Sequence, residues 1–184
     1  NNNVEMDAND NTNYSSEYRM EDNNLGEFDL AFLKLENDGV NKVYSPLAIK
    51  YGLAMLNEGT DGEANKQIKA VIGDYKAKRY TNSNNLSLAN AFFVRDSFKD
   101  AVKQEYIDTL LSKYNADVVY DSFTSNEVMN KWVKDKTLGL IDNLVDDPSG
   151  LDFILANALA IDMKWNNKIR AVDRDYRVSF KHED

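Results

Sequence analysis

The sequence predicts an α+β chain, helices packed on a β-sheet, from three observations. Apolar residues at helical spacing alternate with short apolar runs of strand length. Two of those runs, LSLANAFFV at 86–94 and FILANALAI at 153–161, are apolar on both faces, as strands covered on each side are. A third stretch, VYSPLAI at 43–49, runs an extended pair into Ser-Pro, where proline suits the first helical position and serine the N-cap.

Asn1 to Asn24 is dominated by Asn, Asp, Ser and Glu. Such a segment cannot bury enough apolar surface to offset its ordering entropy, so 1–24 is expected to be a disordered polar linker and 25–184 the domain. Phe28, Phe32 and Leu35 at i, i+4, i+7 predict a first helix, ended by Asn37-Asp38-Gly39. A second helix runs from Pro46 to about Asn57 with Ile49, Leu53 and Leu56 on one face, and Gly59-Thr60-Asp61-Gly62 breaks it. A third carries Ala64, Ile68, Val71 and Ile72. The strand at 86–94 then divides into a large face (Leu88, Asn90, Phe92, Val94) and a small one (Ser87, Ala89, Ala91). The strand at 153–161 repeats the design, with Asn157 among Phe153, Leu155, Leu159 and Ile161, and Ile154, Ala156, Ala158 and Ala160 opposite. Both contain Leu-Ala-Asn-Ala, and both small faces invite another element to lie close. Between them come a helix with Ile107, Leu110, Leu111 and Tyr114, a short strand at 116–120, and a helix with Val128, Met129, Trp132 and Val133. Thr124 and Glu127 have capping-box spacing before that last helix. Strands separated by helices favour crossover connections and parallel neighbours. The tail alternates Tyr176, Val178 and Phe180.

The chain has 184 residues, enough for one domain with a core, and 42% hydrophobic and 29% charged content, ordinary for a globular protein. A net charge of −9 disfavours nucleic acid or an anionic membrane as partner. No apolar run approaches the roughly 20 residues of a membrane span. The absence of cysteine removes disulfides, thiolate metal sites and cysteine nucleophiles. The chain begins at Asn1 rather than Met, as after removal of a leader or trimming of the sequence.

Enzyme chemistry finds little support. The single histidine, His182, lies between Lys181 and Glu183 near the end and reads as a solvated terminal residue. Ser45 has no Gly-x-Ser-x-Gly elbow, and no phosphate-binding glycine motif occurs. Asp7, Asn9 and Asn11 begin a calcium-loop spacing, but Thr12 and Tyr18 stand where glycine and glutamate belong, so no metal or cofactor is expected. Asn13-Tyr-Ser and Asn85-Leu-Ser are glycosylation triplets of a kind that arises by chance. Asp146-Asp147-Pro148-Ser149-Gly150 reads as a turn. Asn90 and Asn157, polar on apolar faces, read either as buried amides bonded to a neighbouring strand or as a latch holding sheet to helix where something must open.

These segments, in this order, resemble the serpins, the serine protease inhibitors. VYSPLAIKYGLAMLNEGTDGEANKQI resembles the family's Phe-Ser-Pro, Ala-Met-Leu helix and Gly-x-x-Gly-x-x-x-x-x-Ile stretch. LANAFFV resembles the second strand of its main sheet, and LANALAIDMKW the third. Trp132-Val133 with Thr137, Gly139 and Ile141 resembles the family's Asn-x-Trp-Val…Thr-x-Gly-x-Ile stretch. The likeness covers about residues 28 to 180. It implies helices on a mixed β-sheet, incomplete, as the N-terminal half of the serpin fold. It also implies serine protease inhibition by the whole protein, in which a cleaved loop inserts as an extra strand and drags the acylated protease along. It places Ser45, Pro46 and Asn157 in the shutter beneath the main sheet and Trp165 at the breach where the loop enters. It implies an extracellular or cell-surface location.

The departures carry expectations too. Ala48 stands where the family has a second shutter serine, and Ile161-Asp162-Met163 replaces Phe-Lys-Gly before the tryptophan. The stretch from Gly73 to Leu86 is short for the family, so an extra helix is expected to be missing. The chain is expected to lack the reactive loop, the alanine-rich hinge and the fifth strand, and so not to inhibit alone. A sheet edge left open would take a complementary C-terminal chain or self-associate. The alternative is a non-inhibitory interaction module built on the truncated fold.

Overall fold

The computed structural model describes residues 23–164. It divides at Ala77/Lys78 into two compact units.

The first unit is helical: α1 (Asn23–Glu36), α2 (Pro46–Glu58) and α3 (Gly62–Ile72). Each boundary has a local cause. Gly39 turns the chain at φ 78 after α1. Ser45, extended at φ −122, caps α2, and its hydroxyl accepts the Ala48 N–H at 3.2 Å, with Pro46 at the first helical position. Gly73, at φ 61, ends α3. The buried stripes differ from those the spacing suggests. In α2 the buried residues are Lys50, Tyr51, Ala54 and Met55, while Leu56 is exposed. Lys50 is buried because its stem is apolar and its ammonium reaches Asp29 Oδ1 at 2.9 Å, over the Phe28 and Tyr75 rings. On α1 the Phe28 and Phe32 rings stack while Leu35 is exposed, and on α3 Ile72 is buried while Val71 is exposed. The stretch 73–85 carries no helix, as its length suggested.

The second unit runs β1 (Leu86–Arg95), a 3-10 turn (Asp96–Ala101), α4 (Gln104–Tyr114), β2 (Asp117–Asp121), α5 (Glu127–Lys136) and β3 (Phe153–Ile161). Its three strands order β2-β1-β3. β1 and β2 are parallel, with Phe92 beside Val118, as the crossover through α4 requires. The expectation of parallel neighbours fails for β3. It lies on the other side of β1 and runs antiparallel to it, with Asn90 opposite Asn157. The cause is the connection: α5 leaves from the end of β1 where β2 stops, and residues 137–152 return to that same end, where Phe153 sits opposite Val94. β1 is therefore central, whereas β3 is an edge strand among the described residues.

The ladder phase follows from its two ends. Arg95 N donates to Asp152 O at 2.8 Å and Asp162 N to Asn85 O at 2.7 Å, so both belong to hydrogen-bonded pairs. Alternation makes Asn90/Asn157 a non-hydrogen-bonded pair, in which side chains stand closer.

The small face is covered by α5. Met129, Trp132 and Val133 join Ala89, Ala91, Phe93, Ala156 and Ala158 in one buried cluster, with Leu144, Val145 and Ile154 against it. Alanine lets the helix approach, and Trp132 meets Phe93 edge-on at 5.7 Å. The expected capping box is absent. The N-cap of α5 is Asn126, and Thr124 Oγ1 instead bonds Ser122 Oγ at 2.9 Å. Asn126 is drawn away from capping because its amide donates to the carbonyls of Val145 (3.1 Å) and Asp146 (2.8 Å).

Candidate functional site

The strongest polar feature on the apolar side of the sheet is a relay of amides. Asn90 is buried, and its Nδ2 donates to the carbonyl of Tyr114, the last residue of α4, at 2.8 Å. Asn90 Oδ1 accepts from Asn157 Nδ2 at 2.6 Å. Asn157 itself is half-buried, and its Oδ1 is inaccessible yet has no hydrogen-bond partner among the described residues. β1, β3 and the end of α4 are thus tied through two side chains. Both readings of these asparagines hold in part. They bond across neighbouring strands, and Asn90 also latches the sheet to a helix.

Ser45 and Pro46 form the elbow opening α2, in the first unit, while Asn157 lies in the second. Ala48 still takes part in the elbow through its backbone N–H. Trp165, the alternating tail with Tyr176, Val178 and Phe180, His182, Asn13 and the Asp7–Asn11 spacing lie outside the described residues. At the second glycosylation triplet, Asn85 Nδ2 donates to Asp162 O at 2.6 Å and Ser87 is buried in β1.

Several groups position this sheet through contacts that the sequence did not show, some of them at residues, such as Thr137 and Trp132, whose motif it did show. Asn126, at the N-cap of α5, and Asn130, one turn into the helix, hold the returning strap, and Asn130 Oδ1 accepts the N–H groups of Leu144 (2.7 Å) and Val145 (3.2 Å). Fully buried Thr137 donates its hydroxyl to Val133 O at 2.7 Å and accepts from Ile141 N at 3.0 Å, which explains the Thr-x-Gly-x-Ile spacing after α5. Arg95 lies over the Phe123 ring and donates to the carbonyls of Ser149 and Leu151, each at 2.6 Å, holding the Asp-Asp-Pro-Ser-Gly turn at the entrance to β3. Asp117 accepts from Trp132 Nε1 and from Lys136 Nζ, both at 2.8 Å. Burial works to raise the Asp117 pKa, but these two hydrogen bonds and the Lys136 charge together outweigh it and hold the carboxyl below its ordinary value. The Asn pair at i, i+4 was visible in the sequence, but polar residues on a helix read as solvent-facing.

A three-stranded mixed sheet with helices on it, built on these motifs, is a partial serpin fold. The serpin (serine protease inhibitor) family matches residues 28–180. A serpin-like protein of Methanosarcina acetivorans is 30% identical, the match covering 79% of this chain and 40% of that protein. Neuroserpin of Mus musculus is 28% identical over 71% of this chain and 37% of its own. Among solved structures, the thermophilic serpin tengpin in its latent state matches with a TM-score of 0.66 and 26% identity, over 78% of this chain and 44% of that one. The chain belongs to the serpin family. It spans about 40% of the length of the relatives it matches.

Proposed function

We propose that this chain is the N-terminal portion of a serine-type endopeptidase inhibitor and does not inhibit by itself. The family match over residues 28–180 carries this reading, because protease inhibition is the general function of serpins. The complete protein presents a loop to a serine protease, is cleaved, and inserts that loop as a strand beside β3. Ser45, Pro46 and Asn157 act in the shutter where the sheet parts, and Trp165 marks the point of entry. The unpartnered Oδ1 of Asn157, next to a relay reaching α4, supports a polar connection that changes partners as the sheet opens. Residues 1–24 are a linker to a protein that works outside the cell or at its surface. It is not an enzyme and needs no cofactor.

The test is a denaturing gel after mixing the purified chain with trypsin-like, chymotrypsin-like and elastase-like proteases. No SDS-stable covalent complex is expected. A complex formed by this chain alone overturns the reading. Extending the chain with the reading frame that follows codon 184, and repeating the gel, is expected to produce the complex. A well-folded extended protein that is only digested favours a non-inhibitory interaction module instead.

A further inference from the structure

Residues 75–83, between α3 and β1, carry no helix, strand or turn. Within them stand Lys76, Lys78 and Arg79, the only place in the chain where four consecutive residues hold three cations, in a protein of net charge −9. All three are exposed, and so is every residue from Lys78 to Asn85. Lys76 and Lys78 have no ion pair among the described residues, and Arg79 is held by a hydrogen bond from its guanidinium to Asn115 Oδ1 at 3.2 Å. The other cations of residues 27–163 are less available. Most lie in helices, and Arg95 lies in β1. Lys42, in an irregular stretch, is gripped by Glu36 at 2.8 Å and Asp38 at 2.9 Å. Lys103 precedes α4, and its carbonyl already accepts the N–H groups of Tyr106 and Ile107.

Local bonds fasten both ends of this stretch. Upstream, just past Gly73, Tyr75 N donates to Ile72 O at 3.3 Å. Downstream, Asn82 accepts from Leu88 N at 2.8 Å and donates to Leu88 O at 3.2 Å, and Ser83 N donates to Leu86 O at 2.8 Å. These partners are near in sequence, so the loop presents the cations through its own residues. A substrate bound in extended form gains affinity from main-chain bonds and specificity from pockets for its side chains. In an extended backbone Lys76 and Lys78 fall on one face, and Ala77 and Arg79 on the other. With Arg79 before the scissile bond, its guanidinium suits an acidic S1 pocket of the trypsin kind. Lys78 and Lys76 then stand at the second and fourth places before that bond, both cationic and both exposed.

We propose that the Arg79–Tyr80 bond is a site of limited proteolysis in the folded chain, cut by a serine endopeptidase that reads paired basic residues through acidic S1, S2 and S4 pockets. Exposed segments without regular structure are where nicking concentrates, and this one adds the charge pattern that selects the enzyme. The hydrogen bond of Arg79 to Asn115 is exposed, so water replaces it as the side chain leaves for the pocket. The step is a hydrolysis. The protease serine attacks the Arg79 carbonyl carbon, the C–N bond to Tyr80 breaks as that nitrogen takes up a proton, and one water then releases Arg79 as a carboxylate. The products are residues 1–79 and 80–184. α1, α2 and α3 stay whole in the first, and β1, α4, β2, α5 and β3 in the second. The site is independent of the inhibitory reading, since it needs neither a reactive loop nor a sheet that opens.

The probes are trypsin and a subtilisin-type endopeptidase of paired-basic specificity, with fragments identified by intact mass. Both are expected to give one fragment ending at Arg79 and another beginning at Tyr80 while the chain is folded. That junction identifies the cut whatever happens nearer the chain ends. The rate is expected to change less than about twofold between zero and 1 M urea, whereas a cut that waits for global unfolding speeds up at least about fivefold. Such a rise overturns the proposal. So does a folded chain that resists at this junction while the urea-unfolded chain is cut there. Arg79→Gln is expected to slow the paired-basic enzyme at least about tenfold, because it leaves the acid of the S1 pocket buried and unpaired. Lys78→Gln and Lys76→Gln are each expected to slow it less, and all three variants to keep the far-UV circular dichroism of the parent. Cutting that ignores Arg79→Gln overturns the assignment of the bond. A digest of the chain extended with the reading frame that follows codon 184 is expected to show the same junction, and protection there overturns the proposal for the longer protein.

Discussion

Asn90 is 4% exposed and uses both ends of its amide, giving to Tyr114 O and receiving from Asn157. Truncating it orphans a carbonyl and an amide inside the sheet. Asn90→Ala is expected to cost about 2 kcal/mol, measured by urea unfolding, since stranded buried polar groups carry their desolvation penalty. A change near zero would mean that water replaces the side chain. Asp117 is expected to make stability depend on acid. Its folded pKa lies below the ordinary 3.8, so its contribution is fully present above that value and is lost as pH falls through the folded pKa. Between about pH 5 and pH 2 the wild-type chain should lose more stability than Asp117→Asn, which keeps an acceptor but no charge. The carboxylate is partly exposed, so the difference is expected to be modest, about 1 kcal/mol or less. Equal acid sensitivity of the two proteins would remove Asp117 from the account. Asn90 and Asn157 stood out in the sequence because an amide in an apolar run is conspicuous. Asn126 and Asn130 did not, because nothing in a sequence says that a helix's polar face is covered by a strap.

The exit from α5 is the element most exposed to single changes. Thr137, fully buried, bonds the helix's last turn to Ile141, and Leu138 follows in a left-handed conformation at φ 58. Thr137→Val keeps the shape and removes the hydroxyl. It is expected to destabilise by about 1–2 kcal/mol, because Ile141 N–H and Val133 C=O lose a buried partner. Leu138→Asn should act in the opposite direction. Leucine at positive φ costs roughly 1 kcal/mol that asparagine largely avoids, so the variant is expected to melt a few degrees higher. Unchanged melting would mean that Leu138's partly exposed side chain contributes as much as its backbone costs. Helix and strand positions were legible because spacing and punctuation are local: Ser-Pro before α2, Gly73 after α3, two doubly apolar runs. The N-cap of α5 was not, since Thr124 and Asn126 both satisfy local rules and only the strap decides which of them starts the helix.

At the scale of the whole molecule, the chain of a serpin-family member divides into two compact units, and residues 1–24 are polar in composition. If 1–24 is a linker, deleting it should move the melting temperature by less than about 5 °C, the equivalent of roughly 1 kcal/mol for a domain of this size. A larger loss would mean that the segment packs. The amino-acid sequence by itself determined the α+β class, the order of the elements, the two strands with a small face, and the family, because periodicity, turn residues and motif order are written along the chain. The tertiary structure alone decided that β3 runs antiparallel on the far side of β1, that Lys50 rather than Leu56 faces inward on α2, and that Asn90 faces both Tyr114 and Asn157. Strand direction depends on where a returning loop ends, and burial of a charged or polar group depends on a partner far away in sequence. Neither quantity has a local signature, because both are set by contacts between residues the chain brings together only when it folds.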